Sequence, residues 1–175
     1  MSAGARKVRL LLTDVDGVLT DGRLFHFVDT RGVLVEFKGV DTQDGIALAW
    51  MARAGLETGV ISGRASRGFA ARARMLRMKY VIQGASDKVP ALEKILRRAK
   101  IPAEHVAFIG DDLPDIPVLR RVGWAVAPAN ARPEVKRCAH YVTRARGGEG
   151  AVRETVELIL KSQGLWRDIC QRYEA

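Results

Sequence analysis

The stretch VRLLLTDVDGVLTDG, residues 8–22, constrains this chain more than any other. Its apolar run, interrupted only by Arg9, is what a strand covered on both faces requires, because neither side of it meets water. The run ends in Asp14 and Asp16, and Asp21 follows after a glycine and a threonine. Carboxylates crowded at the mouth of a buried strand repel one another and lose hydration. Such an arrangement persists only where a counter-charge offsets the repulsion.

The same punctuation recurs along the chain. After residues 8–13, further strands are expected at 58–61, 80–82, 106–109, 124–127 and 141–142. Helices are expected at 42–54, 66–75, 88–99, 114–122, 132–138 and 150–162, with Asn130 as a cap for the helix at 132–138. Two short runs, 24–28 and 33–37, flank Asp29-Thr30-Arg31-Gly32 and read as a hairpin with apolar side chains on both faces. Because an isolated two-stranded ribbon is marginal in water, such a hairpin implies a homo-oligomer.

Strands alternating with helices predict an α/β fold, a three-layer parallel sheet with helices on both faces and the hairpin protruding from it. No Pro-, Gly- or Ser-rich linker and no repeat divides the 175 residues. One domain over residues 1–175 is therefore expected, with the hairpin at 23–38 and a C-terminal helix and tail at 150–175.

Composition narrows the function classes. Apolar residues make up 47% and charged residues 28%, an ordinary globular balance, and no apolar run is long enough to cross a bilayer. The first residues lead straight into a strand, which leaves no room for a signal peptide. Cys138 and Cys170 form neither a disulfide framework nor a metal spacing and are expected as reduced thiols of a cytoplasmic protein. Net charge is +9, from 29 Lys and Arg against 20 Asp and Glu. The positive excess suits small anionic partners or a solvated surface. Without a basic patch interleaved with aromatics, it does not indicate nucleic acid.

The polar clusters fall where a parallel sheet gathers its ligands, beyond the carboxyl ends of the strands. Asp14 and Asp16 end the first strand. Ser62, Gly63 and Arg64 follow the second parallel strand, Asp87 and Lys88 open the helix after YVIQG, and Asp111, Asp112 and Asp115 follow VAFI. Asp14, Asp16 and Asp111 together would carry about three negative charges, so a cation is expected. Oxygen-only ligands favour Mg²⁺, which completes its shell with water and substrate phosphate. Ser62 and Lys88 are the donors a phosphoryl group needs. In an Asp-x-Asp pair both side chains point to one side, so one carboxylate can attack phosphorus while the other handles a proton.

These four stretches, DVDGVLTDG, ISGR, DK and GDDLPD, resemble the four motifs of the haloacid dehalogenase-like phosphohydrolases, in order and over roughly residues 10–160. The resemblance implies that Asp14 is the nucleophile forming an aspartyl-phosphate and that Asp16 is the general acid and base. It implies that Ser62, Gly63 and Lys88 bind phosphate. Mg²⁺ would be held by Asp14, Asp111 and the main-chain carbonyl of Asp16, with Asp112 or Asp115 supporting the ligands or orienting Lys88. Neither gap where relatives carry a cap holds enough residues for one, so a capless member is implied.

The order ISGR, YVIQGASDK, GDDLPDIPVL, AVAPANA and GGEGAVRE is similar to that of the phosphatases of eight- and nine-carbon keto-deoxy sugar acid phosphates. It is also similar to the phosphatase-like domain attached to some sialic-acid cytidylyltransferases. That likeness implies a homotetramer joined through its hairpins and a small sugar acid phosphate as substrate. Arg64, two residues after Ser62, is a candidate for holding the sugar-acid carboxylate bidentately, with a structural salt bridge as the alternative. Glu149 departs from the basic residue common there. A non-catalytic assembly module is the alternative, and the complete set of motif residues argues against it.

Overall fold

The computed structural model describes residues 3–174. Its elements, in chain order, are β1 (Leu10–Thr13), β2 (Phe25–Val28), β3 (Leu34–Phe37), α1 (Thr42–Arg53), β4 (Glu57–Ser62), α2 (Arg67–Met75) and β5 (Tyr80–Gln83). There follow α3 (Lys88–Ala99), β6 (Val106–Ile109), α4 (Ile116–Leu119), β7 (Trp124–Ala127), α5 (Pro133–Cys138), β8 (Tyr141–Val142), α6 (Ala151–Ser162) and α7 (Trp166–Gln171).

Six strands form one parallel sheet in the order β5-β4-β1-β6-β7-β8. Strand β1 is central and wholly buried, as its LLLT sequence requires. Alternate side chains feed two cores. Leu11, Val60 and Ile109 pack with α1, α2, α6 and α7, whereas Leu10, Leu12, Ile61 and Phe108 pack with α3, α4 and α5. The expected three-layer arrangement is therefore present. The chain leaves β1 for β4 on one side and later takes β6 on the other, and this reversal opens a crevice at the carboxyl ends of the central strands. Only the hairpin separates β1 from α1, and only α2 lies between β4 and β5, so no cap domain is inserted. Among the described residues no helix is long and apolar enough to cross a membrane.

Several local expectations are corrected. The first strand begins at Leu10, two residues later than its apolar run. The helix expected at 114–122 is a 3-10 turn, Leu113–Asp115, followed by the four-residue α4. Pro117, at the fourth position of the expected helix, lacks the N–H that a continuous helix needs beyond its first turn, whereas in the shorter elements both prolines sit in the first turn, where none is needed. Asn130 does not cap α5, whose N-cap is Arg132 with no side-chain bond. The tail after Gly164 forms α7, where Trp166 meets Trp50 edge-on at 5.5 Å.

In the hairpin, β2 and β3 pair antiparallel and are largely exposed. One face is aromatic, with Phe25 stacked on Phe37 at 5.2 Å and Phe27 tilted against it. The other face carries Val28 and Leu34 toward the tip, so apolar side chains stand on both faces as expected, with His26 and Glu36 at the foot.

Candidate active site

The β1–β6 pairing sets the first carboxylate. Asp14 directly follows β1, and its N–H continues the ladder by donating to the Ile109 carbonyl at 2.9 Å. Its Oδ1 accepts the Val15 N–H at 2.6 Å and its Oδ2 lies 2.8 Å from Lys88 Nζ. Lys88 opens α3, a poor place for a cation because helix N-termini carry positive partial charge. Carboxylates hold it there. Its Nζ donates to Asp115 Oδ1 at 2.6 Å, and both side chains are almost fully buried.

The second oxygen of Asp115 accepts the N–H groups of Asp111 and Asp112, at 2.9 and 3.2 Å. Asp115 thus fixes the loop after β6 and aims Lys88 at Asp14. Asp112 is exposed and caps the following turn through the Leu113 N–H.

Carboxylate oxygens of Asp14, Asp111 and Asp115 come within 4.8 Å of one another. Of the carboxylates expected to crowd here, Asp16 is replaced by Asp115: the Asp16 side chain turns to Lys38, whose Nζ lies 2.6 Å from its Oδ1, which leaves the main-chain carbonyl that the resemblance assigns to the metal unaffected. Burial above all, then the charge of Asp115, pushes Asp14 up to about 6 against the pull of Lys88. Asp111 is pushed up to about 7 by burial, then by Asp115, Asp14 and Asp112. Burial pulls Lys88 down, but the adjacent Asp115 and Asp14 outweigh it and leave it raised.

The donor set fits a hard divalent cation. Asp111 Oδ1 is buried and has no hydrogen-bond partner among the described residues. An orphaned carboxylate oxygen beside a second carboxylate is a ligand in waiting. Both oxygens of Asp115 are already engaged, which suits it to holding Lys88 rather than to ligating an ion. Gly17 makes the close approach possible: it has a φ of +83°, and a Cβ there would lie 2.1 Å from Asp111 Oδ2.

These groups line a cleft of about 510 Å³ that also takes in Asp16, Ser62, Gly63, Arg64 and Asp112. Ser62 ends β4 and is buried, and its Oγ accepts the Arg64 N–H at 3.3 Å. Arg64 is engaged within the chain, with Nη2 2.7 Å from Glu36 Oε2 and Nε 3.8 Å from Asp16 Oδ2. All the expected site residues therefore meet at one cleft, although they come from four separate strand ends.

Two contributors escape sequence reasoning. Lys38 has no spacing relation to the motifs and reaches Asp16 only because the hairpin folds back. Asn130 bridges two loops, donating to the Gly17 carbonyl at 2.9 Å and accepting the Gly147 N–H at 2.6 Å. Only the glycine-rich GGEG stretch hinted at such a close approach.

Comparisons with known proteins identify the family. A haloacid dehalogenase-like hydrolase family model matches residues 52–154. The 3-deoxy-D-manno-octulosonate 8-phosphate phosphatase of Yersinia pestis is 40% identical over 159 residues, covering 91% of this chain and 83% of that protein. A crystal structure of a probable YrbI family phosphatase from Pseudomonas syringae pv. phaseolica superposes with a TM-score of 0.93 at 42% identity, covering 98% of this chain and 96% of that one. The 3-deoxy-D-manno-octulosonate 8-phosphate phosphatase of Moraxella catarrhalis, in complex with magnesium, phosphate and KDO, superposes with a TM-score of 0.92 at 35% identity. It covers 97% of this chain and 95% of that one. With its motif carboxylates gathered at the end of β1 and its sequence matching over nearly its whole length, the chain belongs to the haloacid dehalogenase-like hydrolases.

Proposed function

We propose that this protein is a Mg²⁺-dependent phosphatase that hydrolyses 3-deoxy-D-manno-octulosonate 8-phosphate to the free sugar acid and phosphate, a step in making lipopolysaccharide precursor. The observation that carries this reading is the orphaned Asp111 Oδ1 beside Asp14 and Lys88, a built place for metal and phosphate. The similarity to phosphatases of that name supports the substrate.

Asp14, Asp111 and the Asp16 carbonyl would hold the Mg²⁺, which supplies charge neutralisation at the phosphoryl oxygens. Asp14 attacks phosphorus: its oxygen forms the new P–O bond as the bond to the sugar oxygen breaks. The departing oxygen keeps that electron pair and takes a proton from the Asp16 carboxyl group. Asp16 then accepts a proton from water as the water oxygen attacks the aspartyl-phosphate, releasing phosphate and restoring Asp14. Lys88 and the Ser62 hydroxyl donate to phosphoryl oxygens, with Gly63 lining the same wall. Arg64, once released from Glu36, is the cleft's cation for the sugar-acid carboxylate.

The hairpin supports a homo-oligomer, taken here as a tetramer. Phe27 is 51% exposed and Leu34 65%, too much apolar surface for an unpartnered ribbon. Light scattering at micromolar concentration is expected to give four copies, and a monomer would refute this. For the activity, phosphate release is measured on eight- and nine-carbon keto-deoxy sugar acid phosphates and on hexose phosphates, with and without chelator. The eight-carbon ester is expected to turn over fastest and only with metal. Equal rates on all would defeat the specificity, a faster nine-carbon ester would reassign the substrate, and no turnover would leave an assembly module.

A further inference from the structure

The foot of the hairpin reaches into the active-site cleft. Lys38 follows β3 directly, its side chain is only 7% exposed, and its Nζ lies 2.6 Å from Asp16 Oδ1 and 3.7 Å from Glu36 Oε1. On the far side of the same carboxylate, Arg64 Nε lies 3.8 Å from Asp16 Oδ2, while its Nη2 is held by Glu36 at 2.7 Å. Asp16 is therefore gripped from two directions, by a cation from the hairpin and by one from the loop after β4.

Stability alone gives little reason for this contact. Partly solvated ion pairs contribute little to stability, and immobilising a lysine costs rotamer entropy that offsets much of the gain. Orientation gives a better reason. A proton-transferring carboxyl group must sit within roughly half an ångström of its productive position, and a side chain on an open cleft wall is free to rotate away.

We propose that Lys38 is a positioning residue for the reaction: its ammonium fixes the Asp16 carboxyl group at the cleft and so places proton transfer under the control of the hairpin. This rests on the reading of Asp16 as the group that protonates the leaving oxygen. The hairpin is then more than an assembly element, because its correct seating sets the geometry of a reacting group 22 residues away in the chain.

The test separates leaving groups. An alkyl phosphate needs a proton at its departing oxygen, whereas p-nitrophenyl phosphate releases a stable phenolate without one. Single-turnover cleavage of 3-deoxy-D-manno-octulosonate 8-phosphate and of p-nitrophenyl phosphate is measured for the full chain and for Asp16→Asn, Lys38→Met and Lys38→Arg. Lys38→Met is expected to lower the alkyl rate roughly 10- to 100-fold, within the range general acid catalysis supplies, with half-saturation nearly unchanged. Its p-nitrophenyl rate should stay within about 3-fold, and Lys38→Arg should recover most of the ratio.

Partial misfolding lowers both rates by the same factor, so the ratio of the two is the readout. If Asp16→Asn shifts the ratio but Lys38→Met does not, the positioning role is wrong. If Asp16→Asn itself leaves the ratio unchanged, the reading of Asp16 is wrong instead.

Discussion

Two lysine–carboxylate clusters share one cleft, and they differ in charge balance. In the knot at the end of β1, Lys88 pairs with Asp14 and Asp115 beside a third carboxylate, Asp111, one oxygen of which has no hydrogen-bond partner among the described residues. At the hairpin foot, Asp16 and Glu36 face Lys38 and Arg64, two against two. The knot has more carboxylates than cations, whereas the foot is balanced within the chain. A metal ion and a phosphate would offset the imbalance of the knot, whereas the balance of the foot holds Asp16 without one. The knot is also the more deeply buried, which makes each of its charges cost more to leave unpaired.

The largest expected effect tests the knot's chemical role. Asp14→Asn keeps the shape but removes the attacking oxygen, and phosphate release is expected to fall roughly 10⁴-fold or more, as when a covalent nucleophile is lost. Circular dichroism should stay native. Activity within tenfold of the parent would mean that the knot does not perform the reaction, and the contrast with the foot would lose its meaning.

The next effect is on stability. Lys88→Met leaves Asp14 and Asp115 without their counter-ion, and breaking a buried pair from one side costs about 3–5 kcal/mol. For a chain of this size that is a fall in Tm of roughly 6–20 °C. Lys38→Met removes a cation from partly solvated partners and is expected to cost about 1 kcal/mol, a few degrees at most. Equal losses in calorimetry would erase the distinction between a buried knot and a satisfied foot.

The knot was largely legible in the sequence and the foot was not, for a physical reason. Asp14, Ser62 and Asp111 sit where apolar runs stop and Lys88 opens the helix after another, and parallel pairing brings those ends together without further information. The Lys38–Asp16 contact depends on how a two-stranded ribbon folds back over the sheet, which no local periodicity encodes. Asn130 failed for a related reason. Capping is a rule about neighbours, yet its partners are Gly17 and Gly147, 113 and 17 residues away. Asp115 was legible as a helper of Lys88, but its place within the knot depends on Pro117 breaking the helix around it.

Titration sharpens the comparison further. Asp14 is raised from 3.8 to about 6 and Asp111 to about 7, in each case first by burial. Between pH 4 and those values the unfolded chain has lost protons that the folded chain still holds. Stability of the metal-free protein therefore falls as pH rises through this window, by about 1.4 kcal/mol per unit for each group. Above pH 7 the loss is complete. Mg²⁺ should reverse the trend, because it binds the ionised ligands, so its increment in Tm should grow from pH 5 to pH 8. Thermal scans with chelator and with Mg²⁺ check both slopes, and a metal-free Tm that rises with pH across this window would contradict the crowding of the knot.

Asp44 is the control that assigns those slopes, and its effect is the smallest. It lies in α1, is 1% exposed, and its Oδ1 accepts the Arg153 N–H at 2.7 Å. Helix α6 begins after Gly150 without a side-chain cap of its own, so Asp44 caps it from a neighbouring helix. Burial pushes Asp44 up to about 6, against the pull of the Arg153 N–H. Its contribution to stability therefore also falls between pH 4 and pH 6, although it belongs to neither cluster. Asn keeps a carbonyl oxygen for the same N–H and removes the charge. Asp44→Asn is expected to change Tm by no more than about 1 kcal/mol equivalent at pH 5, where the parent carboxyl is already largely protonated. It should flatten the metal-free slope by one group while leaving the Mg²⁺ increment untouched. A Mg²⁺ increment that changed with it would mean that this cap and the knot are coupled through the Gly147 loop, and the pH dependence could no longer be apportioned between fold and cleft.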